Sequence, residues 1–246
     1  MPKKIPDVSE ALRRLFSFDI EPKLDEETFR RPNPFRRDHC YVEDVTAVLW
    51  AYGGSLRNIF NGIASTLSKS STLERNLLSL DEWRVFMRGL GLINVDVSER
   101  DVNLAFSWSR MCVGDSKTPA GSKKDSALPF EGFLEAICRM AMMKALPTDD
   151  EITAAECEDA ATYLAQLELV DTTGYEQLLL RKTPWGADQK RQPPHRCVAH
   201  LIALMLRAVK VSKAEDDGTE VELFVSQAEA GRWQKRKFAA SSGRMC

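Results

Sequence analysis

His195, Arg196, Cys197 and His200 are the densest group of side chains that could ligate a metal or carry a proton. Histidine and cysteine at helical spacing can share an ion. Only three candidate ligands cluster here, and Cys197 continues an apolar face with Val198, Leu201, Ile202 and Met205. A core thiol beside helix-capping histidines is therefore expected. His39 and Cys40 form a second candidate, a base next to a nucleophile. Sequence neighbours rarely point at one substrate atom, and no catalytic signature surrounds them. No glycine-rich phosphate loop follows a strand; Gly53–Gly54 and Gly89-x-Gly91 read as helix terminators. No catalytic, cofactor-binding or metal site is expected, and neither is a small-molecule substrate. An enzyme is disfavoured.

Cations offer a different chemistry. Arg30, Arg31, Arg36 and Arg37 lie in a stretch that also holds Pro22, Pro32 and Pro34, and a tail from Gly231 carries Arg232, Trp233, Lys235, Arg236, Lys237 and Phe238. Such segments have too little apolar surface to fold alone, so ordering them needs a partner. Docking on an acidic surface suits them. The expected partner-binding set is Arg30, Arg31, Arg36, Arg37, Arg232, Trp233, Lys235, Arg236 and Lys237. The formal net charge of −2 supplies no global field toward nucleic acid or membrane. The longest apolar run, Cys197 to Leu206, is interrupted by His200 and is too short for a membrane span. Six scattered cysteines without a C-x-x-C pair read as reduced thiols, and no leader segment is expected at Met1–Lys4. The expected location is cytoplasm or cytoskeleton.

The elements that would position these groups are helical. Residues 1–40 form an arm, with Asp7 and Glu10 as a capping box for a short helix bearing Val8, Leu12, Leu15 and Phe16, followed by an extended stretch. Residues 41–146 hold the core, 147–212 a C-terminal helical region, and 213–246 a basic tail. Within the core one pattern occurs twice: amphipathic helix, polar loop, short apolar stretch, second amphipathic helix. The first copy has Leu56, Ile59, Phe60, Ile63, Ala64 and Leu67 on one face, then Leu77 to Leu80, then Trp83, Phe86, Met87 and Leu90. The second has Val102, Ala105, Phe106, Trp108 and Met111, then Leu128, then Phe130, Phe133, Leu134, Ile137, Cys138 and Ala141. Ser79 with Glu82, Ser98 with Asp101, and Thr148 with Glu151 mark helix starts. The long Gly-, Ser- and Lys-rich stretch Val113 to Ser126 is expected to be a mobile loop. Expected core aromatics are Phe60, Trp83, Phe86, Phe106, Trp108, Phe130 and Phe133.

This pattern resembles a pair of EF-hands without calcium ligands. A working loop needs oxygen ligands at positions 1, 3 and 5, an apolar residue at 8 and a bidentate Glu at 12. With Leu78 at position 8, Glu82 falls at 12 and Trp83 opens the exiting helix, but Leu73 occupies position 3 and Arg75 position 5. In the second copy Leu128 takes position 8 and Gly132 stands where the glutamate belongs. The resemblance implies a mainly α fold, an EF-hand-like pair joined through its β-like stretches, with additional C-terminal helices and extended termini. It is similar in style to ligand-less EF-hand proteins of the cytoskeleton, including axonemal ones. It implies a calcium-independent docking protein whose partners are tubulin or other axonemal proteins of a cilium or flagellum. The alternative is a regulatory module capturing a partner's amphipathic helix in a groove lined by Met87, Met111, Met140, Met142 and Met143.

Overall fold

The computed structural model describes residues 7–23, 33–64, 77–181, 192–214 and 224–242. In chain order the helices are α1 (Val8–Arg14), α2 (Glu43–Ala51), α3 (Gly53–Ile63), α4 (Leu80–Gly89), α5 (Glu99–Trp108), α6 (Pro119–Ser126), α7 (Phe130–Met143), α8 (Asp149–Ala154), α9 (Ala160–Val170), α10 (Thr172–Leu179), α11 (Pro194–Ala214) and α12 (Gln227–Ser242). Where an extended stretch of the arm is expected, the described residues are helical: Glu21–Lys23 is a 3-10 turn, and a wide π-helical turn, Arg36–Cys40, precedes α2. The fold is mainly helical. Among the described residues the β pairing consists of one antiparallel bridge, in which Leu78 N–H donates to Leu128 O at 2.8 Å and Leu128 N–H to Leu78 O at 2.9 Å.

Local chemistry explains where the helices start and stop. Ser79 with Glu82, Ser98 with Asp101 and Thr148 with Glu151 form complete capping boxes at α4, α5 and α8. Each satisfies two N–H groups that the first helical turn cannot pair. Asp7 makes no such bond at α1, and Val8, Leu12, Leu15 and Phe16 are all exposed. At the C-terminus of α4, Leu92 N–H reaches Met87 O while Gly91 sits at φ +70. The same closure ends α8, where Cys157 N–H reaches Ile152 O and Glu156 takes φ 52. This left-handed position suits glycine and strains a side chain.

The core is built on aromatic contacts. Phe133 of α7 has ring centroids 5.5 Å from Phe60 of α3, 6.2 Å from Trp83 and 6.3 Å from Phe86 of α4. The buried Trp83 Nε1–H donates to Val102 O of α5 at 3.0 Å, bringing that helix in. The face of α11 made by Val198, Leu201, Ile202 and Met205 is buried in the same cluster. A smaller cluster, Ala145, Leu164 and Leu178 with Tyr163, Leu167 and Tyr175, joins α9 and α10 to its edge.

Four further expectations need correction. Val113 to Ser126 is not loop throughout: Thr118 accepts Gly121 N–H and starts α6. The spacing of Ile152, Ala155, Ala160, Leu164 and Leu167 predicts one helix after the Thr148 cap, but the segment forms two, α8 and α9, broken at Glu156. Trp108 is 53% exposed, because it ends α5 at the rim of the core. The basic tail is, where described, a core helix: Ala230, Trp233 and Gln234 of α12 are buried. Phe86 and Trp233 rings meet edge-on at 5.6 Å. Trp233 Nε1–H donates to Ala208 O at 2.9 Å and Gln234 Nε2 to Glu82 O at 3.1 Å. Just upstream, Val225 N–H donates to Ser55 Oγ and Asn58 Nδ2 to Val225 O. The spacing i, i+3, i+4 explains why one face of so basic a segment can be buried.

The approach of α12 to α3 depends on small residues. A Cβ on Gly62 would lie 2.7 Å from Ala230 Cβ and 2.8 Å from Gly231 N. Gly62→Val is therefore expected to destabilise the protein by about 1–3 kcal/mol despite leaving the helix less flexible, read as a lower urea midpoint. Glu156→Gly should act oppositely, adding about 1 kcal/mol by relieving the left-handed backbone, read as a higher melting temperature.

Candidate functional site

The expected docking cations fall into distinct settings. Arg30 and Arg31 lie outside the described residues. Arg232, Lys235, Arg236 and Lys237 are exposed on the outer face of α12. Lys237 Nζ sits 5.8 Å from the Trp233 ring centroid. Glu229 of α12 caps Ser226 and faces Lys210, so it lies among intramolecular partners. Trp233 is 1% exposed; its indole anchors the helix and offers nothing to a partner. Arg37 is exposed and its guanidinium forms a two-pronged pair with Asp38.

Arg36 belongs to a clasp. Its Nε donates to Glu135 Oε2 at 2.8 Å, and its Nη2 to the carbonyl of Arg110 at 3.4 Å. Glu135 lies on α7 and is wholly buried, with Arg139 one turn on and 2% exposed. Arg139 Nε donates to Glu135 Oε1 at 3.2 Å, and Tyr41 OH to Oε2 at 3.0 Å. The Arg139 guanidinium lies 4.2 Å from the Phe35 ring centroid and 5.7 Å from that of Trp108. One buried carboxylate thus binds two guanidiniums and a phenol. Burial, and next the charge of Glu135, push the Tyr41 phenol up to about 12. Neither Glu135 nor Arg139 stands out in the sequence; the only signal is an i, i+4 acid–base pair inside an apolar helix, which ordinarily reads as surface.

The groups that could do chemistry are otherwise engaged. His39 stacks edge-on to Phe35 at 5.7 Å, and Cys40 is buried. A hydrogen bond with Cys40, together with burial, pushes the Cys138 thiol up, away from a reactive thiolate. On α11, the Arg196 Nε donates to Asp149 Oδ2 at 2.6 Å, tying it to α8. His200 Nε2 lies 3.1 Å from Asp149 Oδ1, and burial lowers its proton affinity. Arg196, first, holds the Asp149 carboxyl below its usual range. Among the described residues no group of three or more His, Cys, Asp or Glu side chains is placed to hold a metal. Glu82, the position-12 residue of the first EF-hand-like loop, accepts Ser79 N–H at 3.0 Å and Ser79 Oγ–H at 2.9 Å. Of the methionines expected to line a capture groove, Met87, Met140, Met142 and Met143 are buried in the core.

No family model, curated protein or solved structure matches this chain. No described helix is long and apolar enough to cross a membrane.

Removing the shared carboxylate would leave two guanidiniums facing each other. Glu135→Ala is expected to cost about 3–5 kcal/mol, measured by urea unfolding. The phenol gives a pH signature. Its folded pKa is raised, so the native state retains a proton that the unfolded chain releases near 10. That contribution is complete below about pH 10 and disappears as pH rises toward about 12. Tyr41→Phe should flatten the loss of stability between about pH 10 and about pH 12, followed by urea midpoints at each pH.

Proposed function

We propose that the chain is a non-enzymatic docking protein of a cytoskeletal assembly, with ciliary or flagellar microtubules as its partner. Its core is read as a calcium-independent EF-hand-like pair. Support for that core comes from the Leu78–Leu128 bridge, which joins the two residues assigned to equivalent loop positions. It comes also from the order of helices: α3 and α4 flank one bridge residue, and α5 and α7 the other, with α6 inserted between α5 and Leu128.

The observation that carries the docking reading is the two-faced character of α12. Ala230, Trp233 and Gln234 fix one side in the core, while Arg232, Lys235, Arg236 and Lys237 point outward. Among the described residues, no ion pair neutralises Arg232, Lys235 or Arg236. A rigid helix with one cationic face suits an extended acidic surface better than a flexible tail does, because less ordering entropy is lost on binding. The helix-capture alternative has less support, since four of its five lining methionines, Met87, Met140, Met142 and Met143, are buried and α12 packs on α3 and α4.

Co-sedimentation of the full chain with microtubules over a salt series, with and without calcium, tests this. Binding should be indifferent to calcium and weaken as salt screens the charges. The triple substitution Arg232→Glu, Lys235→Glu, Arg236→Glu should reduce it by about tenfold or more. Calcium-dependent binding, or none at low salt, would overturn the proposal.

A further inference from the structure

We infer that Arg36, Tyr41, Trp108 and Arg110 form a binding site for a carboxylate-bearing peptide segment of a protein partner. This site shares no residue with the outward face of α12 and stands on separate geometry.

Charge is out of balance there. Among the described residues, Glu135 is the carboxylate bound by both Arg36 and Arg139. Arg110 adjoins them through its carbonyl, which accepts from Arg36. The Arg110 guanidinium donates to two backbone carbonyls, Ser107 O at 3.4 Å and Asp125 O at 3.1 Å, and to no described carboxylate. Two guanidiniums thus share one negative charge, and the side chain of Arg110, next to them in space, is bonded to backbone carbonyls. Arg36 and Arg110 each use two of five N–H groups in these bonds. The remainder can receive a carboxylate in the forked geometry that guanidinium favours.

Two large rings flank these donors. Tyr41 is 58% exposed and Trp108 53% exposed, while the core aromatics beside them are buried. Trp, Tyr and Arg are the residues that most often dominate a protein interface. Their positions are also fixed in advance. Tyr41 and Arg36 are hydrogen-bonded to the buried Glu135, and Arg139 lies between Phe35 and Trp108 within cation–π range. A site held this way loses little side-chain entropy on binding. Nucleic acid fits less well. It needs a run of phosphate contacts, whereas this surface offers two partly exposed guanidiniums on a chain of net charge −2.

The test is fluorescence anisotropy on the full chain, using a fluorescein-labelled Glu-Glu-Leu repeat peptide, its Gln-Gln-Leu counterpart and an oligo-dT. The glutamate peptide should bind saturably and the glutamine peptide should not. Arg110→Glu, which leaves the Glu135 clasp in place, and Trp108→Ala, which removes one ring beside Arg139, should each weaken binding about tenfold. The triple α12 substitution should leave it unchanged, which separates this site from the cationic face of that helix. Arg110→Glu alters an exposed side chain, so it reports on binding even if Trp108→Ala lowers stability. Undiminished binding in Arg110→Glu, loss only in the α12 variant, or no saturable binding would overturn the assignment. Oligo-dT binding that Arg110→Glu abolishes would also overturn it, in favour of a phosphate ligand.

Discussion

Phe133 is the side chain through which the helices meet. Its ring lies against Phe60, Trp83 and Phe86 in tilted and edge-on arrangements, and Phe86 carries the contact on to Trp233. Such geometries place positive ring edges on negative faces and add to the burial of large apolar surfaces. Because cores pack to near-crystalline density, the rings leave each helix few alternative positions. The direction of α12, and therefore of its cationic face, follows from where Trp233 must sit to reach Phe86 and to give its N–H to Ala208 O.

Charges buried along α7 add a second constraint. Near its middle, Glu135 gathers Arg139, Arg36 and Tyr41; past its end, Lys144 Nζ donates to Asp96 Oδ1 at 2.8 Å. Asp96 also accepts Ala145 N–H at 3.0 Å. Ion pairs of this kind contribute little net stability compared with an apolar replacement, since each charge loses its hydration. Their effect is directional: the segment before α2 and the loop after α4 each have one place where their charges are satisfied.

Much of the fold was legible in the chain itself, and the reasons are local. Ser79, Ser98 and Thr148 have their acidic partners three residues on, and each makes the expected cap. Phe60, Trp83, Phe86 and Phe133 recur at helical spacing, and all are buried. Trp233 was misleading because cations surround it, and a single large apolar residue makes a weak stripe. The Glu135 clasp was hidden for a different reason. Glu135 is separated by 99 and 94 residues from Arg36 and Tyr41, and no local pattern records so distant a pairing. The surface at Trp108 and Arg110 was obscured in the same way, since it exists only once the segment around Arg36 folds onto α7.

The joining of Val225 to Ser55, 170 residues apart, has a consequence for how the chain acquires its structure. A nascent chain that has emerged only as far as α11 holds α3 and α4 with the seats for Ala230, Trp233 and Gln234 uncovered. Contacts of such sequence separation close late and slow the approach to the native state. The early helices therefore wait, partly exposed, for the last-made part of the core, and in that interval a chaperone has apolar surface to hold.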